Sequence, residues 1–430
     1  SKEENRKNFS KYVSQNILGM IGFSCYVLAD SYFISIAKGA DGLTALNLVM
    51  PLYSIIFSIG EMIGVGSAIR YAISKIKKDA DADDYFWNAL IWCILSSMLF
   101  VFAGIFFSAD IMRVLGADEH IVAVGNNYTK IFMCFAPMFM CNYVTNAFVR
   151  NDGAPGIAMS ATLFSSLFNI VFDYILMFPM NLGMEGAALA TALSPIIGMG
   201  ICSIHFFSKK SSVRLVVCKP SVRKLVAGSR LGVSAFVGEM SSAVITLAFN
   251  FVILKLAGNV GVAAYGVVAN IAIVTTAVFN GVAQGSQPLI SSCFGRGDKD
   301  GCTQLKRMGY TTAFVLAAVM YSILFIFAGQ FVAVFNSEGS EMLRLYATEG
   351  VKLYFIGIFF AGINIVGGGA FSATEDAFKA AVVSVARGFV LILGAVFVMS
   401  ALFGMTGVWL AYAVAEGITT FIMLVMVLRV

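Results

Sequence analysis

Twelve membrane-crossing helices, arranged as two pseudo-symmetric bundles of six, is the all-α fold class that this 430-residue sequence predicts. Three observations carry it. Hydrophobic residues make up 59% of the chain and charged residues 12%, with a mean hydropathy of +0.85; a soluble domain carries about twice that charged fraction. Apolar runs of roughly 20 residues or more, each long enough to cross the hydrocarbon core, recur from end to end. Two segments of like sequence also lie 221 residues apart, GMEGAALATA at 183–192 and GMTGVWLAYA at 404–413.

The spans read at about 13–37, 45–70, 86–107, 120–148, 156–179, 184–207, 225–256, 262–293, 308–333, 343–370, 377–403 and 405–428. The opening SKEENRKNFSK is polar and basic and runs into a full-length first span, so no cleavable signal peptide is expected. The first span carries an acid, Asp30, in YVLADSYFI. The second carries Glu61 and ends near Arg70, which is expected to snorkel to the interface. In the fifth, Ser165, Asn169 and Asp173 recur every four residues and Thr162 extends them, a polar stripe on a helix otherwise rich in Leu, Ile, Phe, Val and Met. An ionised Asp inside a span costs roughly 2.5–3.5 kcal/mol on insertion scales, so such a stripe faces other helices or water.

The sixth span adds Thr191 in AALATALSP, where Pro195 frees a backbone carbonyl. Glu239 lies in the seventh, and NGVAQGSQP in the eighth spaces Asn280, Gln284 and Gln287 along one polar face. Arg387 in the eleventh and Glu416 in the twelfth are expected to form a structural ion pair, because an unpaired Arg within a bundle is expensive.

Twelve spans place both termini on one side. That side collects 22 Lys and Arg and the other six, with Arg387 inside a span; Arg429 closes the terminus-side count. The positive-inside rule then puts the termini in the cytoplasm of a plasma membrane, with a prokaryotic source expected. The longest basic connection, KKSSVRLVVCKPSVRK, divides the chain into bundles at 1–208 and 225–430 joined by a cytoplasmic linker at 209–224. The 221-residue offset also relates Gly60 to Gly281, Gly64 to Gly285 and Ile69 to Ile290. Six spans per repeat is an even number, so the pseudo-two-fold axis runs along the membrane normal and a substrate site is expected between bundles near the midplane.

Several function classes are excluded. There is no nucleotide-binding GxxxxGK[ST] loop, no HExxH and no channel-filter sequence. Eight scattered cysteines form no CxxC pair or Cys/His cluster, so neither disulfides nor a bound metal cofactor is predicted. The chain reads as a non-enzyme without cofactors, and its net charge of +5 points to no nucleic-acid partner. Two carboxylates, one amide and one hydroxyl form a hard-oxygen set that suits Na⁺. Burial also disfavours a charged carboxylate, so the same acids could carry H⁺.

With these motifs in view, the chain resembles the multidrug and toxic compound extrusion (MATE) transporters over essentially its whole length. The likeness rests on ADSYFISIAKGADGLTALNLVMP after the first span, FVRNDGAPGIAMSATLFSSLFNIVFD across the fourth and fifth, GSQPLISSCFGRGD after the eighth and FGMTGVWLAYAVAEGIT in the twelfth. The resemblance implies a Na⁺ or H⁺ coupling site at Asp30, Asn169, Asp173 and Thr191. It adds Tyr128 to the same neighbourhood and implies attraction of cations at Glu239; with Asn280 and Gln284 of the eighth span's polar face, these make the expected substrate-cavity residues. Some relatives bend the first helix at a proline, and none occurs between residues 1 and 50. The acid that accompanies the one at Glu239 in some branches is absent from the tenth span, where Asn364 is the nearest polar group. The implied activity is cation-coupled antiport of lipophilic, mostly cationic small molecules by a monomer among membrane lipids. Its 38 Phe, 15 Tyr and 21 Met include rings and thioethers suited to flat cations. A flippase for a lipid-linked precursor is the alternative. It would need several cavity-facing bases, whereas the buried charges here read as acidic apart from Arg387.

Overall fold

The computed structural model describes residues 1–336 and 339–428; Arg429 lies outside the described residues. Among the described residues, eleven helices are long and apolar enough to cross a membrane, and one bent pair completes twelve. They are α1 (Lys2–Lys38), α2 (Ala45–Ile76), α3 (Asp84–Val114), α5 (Pro155–Met177), α6 (Met184–Phe206), α7 (Val222–Gly258), α8 (Val260–Gly295), α9 (Lys299–Ile326), α10 (Glu341–Ala373), α11 (Ala377–Phe403) and α12 (Met405–Leu428). Helix α4 is the pair Glu119–Cys134 and Ala136–Asn151, bent by 46°. Pro137 sits in the first turn of its second half, where it lacks an N–H and disturbs the preceding turn.

The helices outrun the apolar spans where capping extends them. Helix α9 starts at Lys299 rather than near 308, because the Asp298 carboxylate accepts from Gly301 N at 2.9 Å. It also stops at Ile326, and a separate short helix, Ala328–Phe335, covers the end of the expected span. Helix α10 tightens to a 3₁₀ turn at Phe355–Gly357, and α11 contains a π segment at Ala386–Val390 around Arg387.

Two apolar cores organise the packing. One is built from residues between Ile34 and Leu231, and the other from residues between Phe249 and Ala415 together with Phe9 and Val13. The first turns of α1 therefore pack on the second core, and the start of α7 packs on the first. The non-helical connection before α7 lies against the first bundle. Trp87 Nε1 donates to Cys218 O (3.0 Å), Trp92 Nε1 to Ser221 O (3.2 Å), and Lys224 pairs with Asp84 at 2.7 Å.

The bundles meet along glycines at the terminus-bearing end. A Cβ on Gly66 of α2 would fall 2.2 Å from Gly228 O, and one on Gly232 of α7 2.1 Å from Met62 O. A Cβ on Gly281 or Gly285 of α8 would fall, respectively, 2.6 Å from the Cα of Ile17 and 2.7 Å from that of Val13 of α1. Arg70, at the end of α2 where it is expected to snorkel, finds a carboxylate partner. Its Nη1 lies 2.7 Å from Glu375 Oε1 in the α10–α11 turn of the opposite bundle, because that turn brings a carboxylate within reach of the end of α2.

The repeat appears in backbone detail. Gly183 before α6 has φ +57° and ψ −127°, and Gly404 before α12 has φ +65° and ψ −138°. Only glycine adopts this region freely. Gly183→Ala and Gly404→Ala should each destabilise the purified protein by about 1–3 kcal/mol, read as a lower thermal-unfolding midpoint in detergent. Gly266→Ala, at an ordinary helical glycine with open space around its Cβ, should not lower it. Equal behaviour of all three would contradict the conformational argument.

Candidate functional site

Three helices bring the predicted acids together. Gly19 of α1 packs on Met159 and Thr162 of α5, and Gly22 packs on Leu163, so the two helices run side by side in parallel. Continuing that register carries Asp30 to the level of Asp173, and the two carboxyls face each other. Helix α6 runs antiparallel to α5, with Gly186 against the backbone of Leu176 and Met177. Stepping from there to Thr191, roughly 7.5 Å along the helix, reaches the turn that holds Asn169 and Asp173.

All four residues are buried, Asn169 and Asp173 completely. Asp30 Oδ1, both polar atoms of Asn169, both carboxylate oxygens of Asp173 and Thr191 Oγ1 have no hydrogen-bond partner among the described residues. Buried polar atoms are almost always paired, so six without partners in one place call for a ligand. No group of three or more His, Cys, Asp or Glu that could hold a metal exists among the described residues. The donor set is two carboxylates, an amide and a hydroxyl, which fits a small monovalent cation or a proton.

A cavity of about 110 Å³ adjoins this set. It is walled by α1, α2, α4, α5 and α6, with Glu239 of α7 and Gln284 of α8 completing it from the other bundle. Phe23, Phe57 and Phe139 supply aromatic faces. The α5 stripe runs out of it: Thr162 and Ser165 line the cavity, and Asn169 and Asp173 follow on the same face. On α1, Tyr26 lines the cavity one turn before Asp30. Gln284 Nε2 donates to Glu61 Oε1 across the bundles at 3.4 Å, a long contact.

Of the predicted cavity residues, Glu239 and Gln284 line it. Tyr128 does not: it is buried away from the lining, with its hydroxyl 2.8 Å from that of Tyr53. The bend of α4 explains this, since Tyr128 precedes it and the lining residues follow it. Asn280 is also outside the lining, one turn along α8 from Gln284. Sequence reasoning missed Arg150 and the amides of Asn16, Asn142 and Asn146, all of which line the cavity. Asn142, Asn146 and Arg150 are four residues apart, the same periodicity that exposed the α5 stripe. Arg150 was instead assigned to the edge of the fourth span, and its burial corrects the reading that Arg387 is the one buried base.

The second bundle treats the equivalent space differently. Offsets of 221 or 222 relate Asn142, Ser165 and Pro195, all at the cavity, to Asn364, Arg387 and Glu416. There Arg387 pairs with Glu416 at 2.8 Å as expected. Asn364 Nδ2 donates to Glu416 Oε2 (2.7 Å) and Thr420 Oγ1 to Asn364 Oδ1 (2.8 Å). What is hollow in one bundle is filled by a satisfied polar network in the other.

Two helical bundles that meet across a polar cavity, beside a set of unpartnered oxygen groups, define the two-bundle class of membrane transporter. A family model described as MatE matches residues 16–175 and 235–398, and the chain belongs to that family, the MATE transporters. It is 27% identical over 414 residues to the multidrug export protein MepA of Staphylococcus aureus strain MRSA252, covering 94% of this chain and 89% of that one. Its fold is similar to that of a multidrug resistance MATE transporter solved in an outward-facing conformation, with a TM-score of 0.92 at 20% identity, covering 99% and 96% of the two chains. It is also similar to a MOP superfamily transporter from Pyrococcus furiosus described as having a binding pocket of reverse polarity, with a TM-score of 0.90 at 20% identity and coverage of 98% and 95%.

Arg387→Met should cost about 3–5 kcal/mol, because it leaves the buried Glu416 carboxylate unpaired. Combining it with Glu416→Leu should recover most of that loss. Thermal unfolding of the purified single and double variants checks this, and a double variant no more stable than the single would contradict it.

Proposed function

We propose that the chain is an ion-coupled multidrug antiporter of a bacterial plasma membrane, exporting lipophilic and mostly cationic small molecules by alternating access. The observation that carries the coupling is the cluster of six unpartnered polar atoms at Asp30, Asn169, Asp173 and Thr191. Na⁺ or H⁺ bound there neutralises charge that the bundle interior cannot solvate. Such a ligand biases the transporter only by binding one conformation more tightly than the other. The name of the staphylococcal relative supports multidrug export, and Glu61 and Glu239 in the cavity support attraction of cations.

With the basic face cytoplasmic, the end where the bundles meet along their glycines is the cytoplasmic one, which makes this an outward-facing arrangement. A lipid-linked precursor flippase is the second reading, and Arg150 in the cavity is the observation in its favour. One base against two acids favours organic cations over a pyrophosphate head.

Proteoliposomes holding a fluorescent cationic dye, under separately imposed Na⁺ and H⁺ gradients, identify the driving ion. Asp173→Asn and Asp30→Asn keep the side-chain shape and remove the ionisable group, so each should abolish gradient-driven export while leaving the protein folded and inserted. Asn169→Ala and Thr191→Ala remove neutral ligands and should weaken it less. Normal export rates from both well-folded Asn variants under either gradient would make these acids structural and move the search for coupling to Glu239.

A further inference from the structure

The cation-attracting acids leave one cavity side chain unexplained. Arg150 is 4% exposed and its guanidinium stays charged at any physiological pH. Nη1 donates to Asn146 Oδ1 at 3.0 Å, and Nε is buried with no partner. Among the described residues no carboxylate oxygen lies within 4.0 Å of it. Arg70 and Arg387, the other arginines partly or wholly enclosed by these helices, each hold a carboxylate at 2.7 and 2.8 Å. A guanidinium in a membrane-embedded bundle without such a partner is expensive, and this one lines the cavity.

The same cavity holds Glu61 and Glu239, with Gln284 beside Glu61. Asn142 Oδ1, two turns before Arg150 on α4, is also buried without a partner. A purely cationic ligand satisfies the acids and leaves Arg150 bare. A purely anionic one does the reverse. A molecule with a cationic centre and a carboxylate satisfies both, and a guanidinium fork fits a carboxylate through two parallel hydrogen bonds.

We propose that the cavity prefers zwitterionic amphiphiles, binding their carboxylate at Arg150 and their cationic centre at Glu61 and Glu239. This rests on the transport reading above and names the substrate class within it.

The test uses two dyes that share one cationic ring system, a rhodamine with a free carboxylate and its methyl ester. In proteoliposomes, wild-type protein should export the free-carboxylate dye with kcat/KM at least equal to that of the ester. Arg150→Gln should lower the ratio of the two, zwitterion over ester, by about tenfold or more, the worth of a charge-assisted contact. Arg150→Lys, which keeps charge but loses the fork, should restore part of that ratio. A ratio unchanged within about twofold, whatever happens to the absolute rates, would make Arg150 a structural countercharge and overturn the proposal. If Arg150→Gln does not fold, equilibrium binding of both dyes to wild-type protein in detergent decides: tighter binding of the free-carboxylate dye supports the proposal, and equal or weaker binding overturns it. Wild-type protein that moves neither dye under either gradient overturns the transport reading itself, and the binding measurement still judges the cavity.

Discussion

The structure depends on one unmet demand, two carboxylates buried against each other with no base beside them. The helices that carry them offer little relief. Thr162 and Ser166 donate to carbonyls of their own helix, Ala158 O at 3.1 Å and Thr162 O at 2.7 Å, and Ser194 donates to Thr191 O at 2.9 Å. Hydroxyls in apolar helices commonly bond back in this way. These hydroxyls are thus spent on backbone and do not reach Asp30 or Asp173. A carboxylate that a fixed partner satisfied permanently could not report the presence of an ion. In the proposed coupling, leaving it unsatisfied is what would make its occupancy matter to the conformation of the protein.

The two bundles share an ancestry of sequence and diverge in this respect. Gly183 and Gly404 hold the same unusual backbone conformation, so the helix hairpins they open are built alike. At the next level the likeness ends. Ser165 and Pro195 leave open space, whereas Arg387 and Glu416 at the corresponding positions close it with an ion pair and two further hydrogen bonds. A satisfied buried network resists rearrangement, because breaking one partner strands the other. The second bundle is thereby suited to move as a rigid body, and the groups that can respond to a ligand are concentrated in the first.

Much of this was legible in the sequence. Asp30, Asn169, Asp173 and Thr191 stood out because charge and amide are rare in apolar helices, and a four-residue rhythm marks one face. Glu239 and Gln284 stood out for the same reason. Arg150 did not, because a charge at the end of an apolar run looks solvated, and only packing shows that α4 continues into the protein there. Tyr128 came from the resemblance rather than from a pattern in the residues, and the bend beside Pro137 keeps it out of the cavity lining. The partner of Arg70, Glu375, could not be read because it lies in another bundle, a distance in sequence that local spacing cannot bridge.

Helix α1 links these parts. Near its start, Val13 and Ile17 lie against Gly285 and Gly281 of α8, in the contact that closes the bundles together. In its middle, Asn16, Met20, Phe23 and Tyr26 line the cavity. One turn further on, Asp30 faces Asp173. Without a proline in its length, α1 has no proline hinge between Asp30 and the glycine contact. If an ion binds at Asp30 as proposed, a shift or rotation of the helix would be carried along its axis to the cavity wall and to the glycine contact with α8. Those glycines leave no side chains to cushion the approach, so a displacement of even an ångström there alters backbone-to-backbone packing. Packed interfaces of this kind switch between discrete arrangements more readily than they deform. A single rigid helix that touches ion site, cavity and closed end is sufficient to let the occupancy of one bias the state of the others.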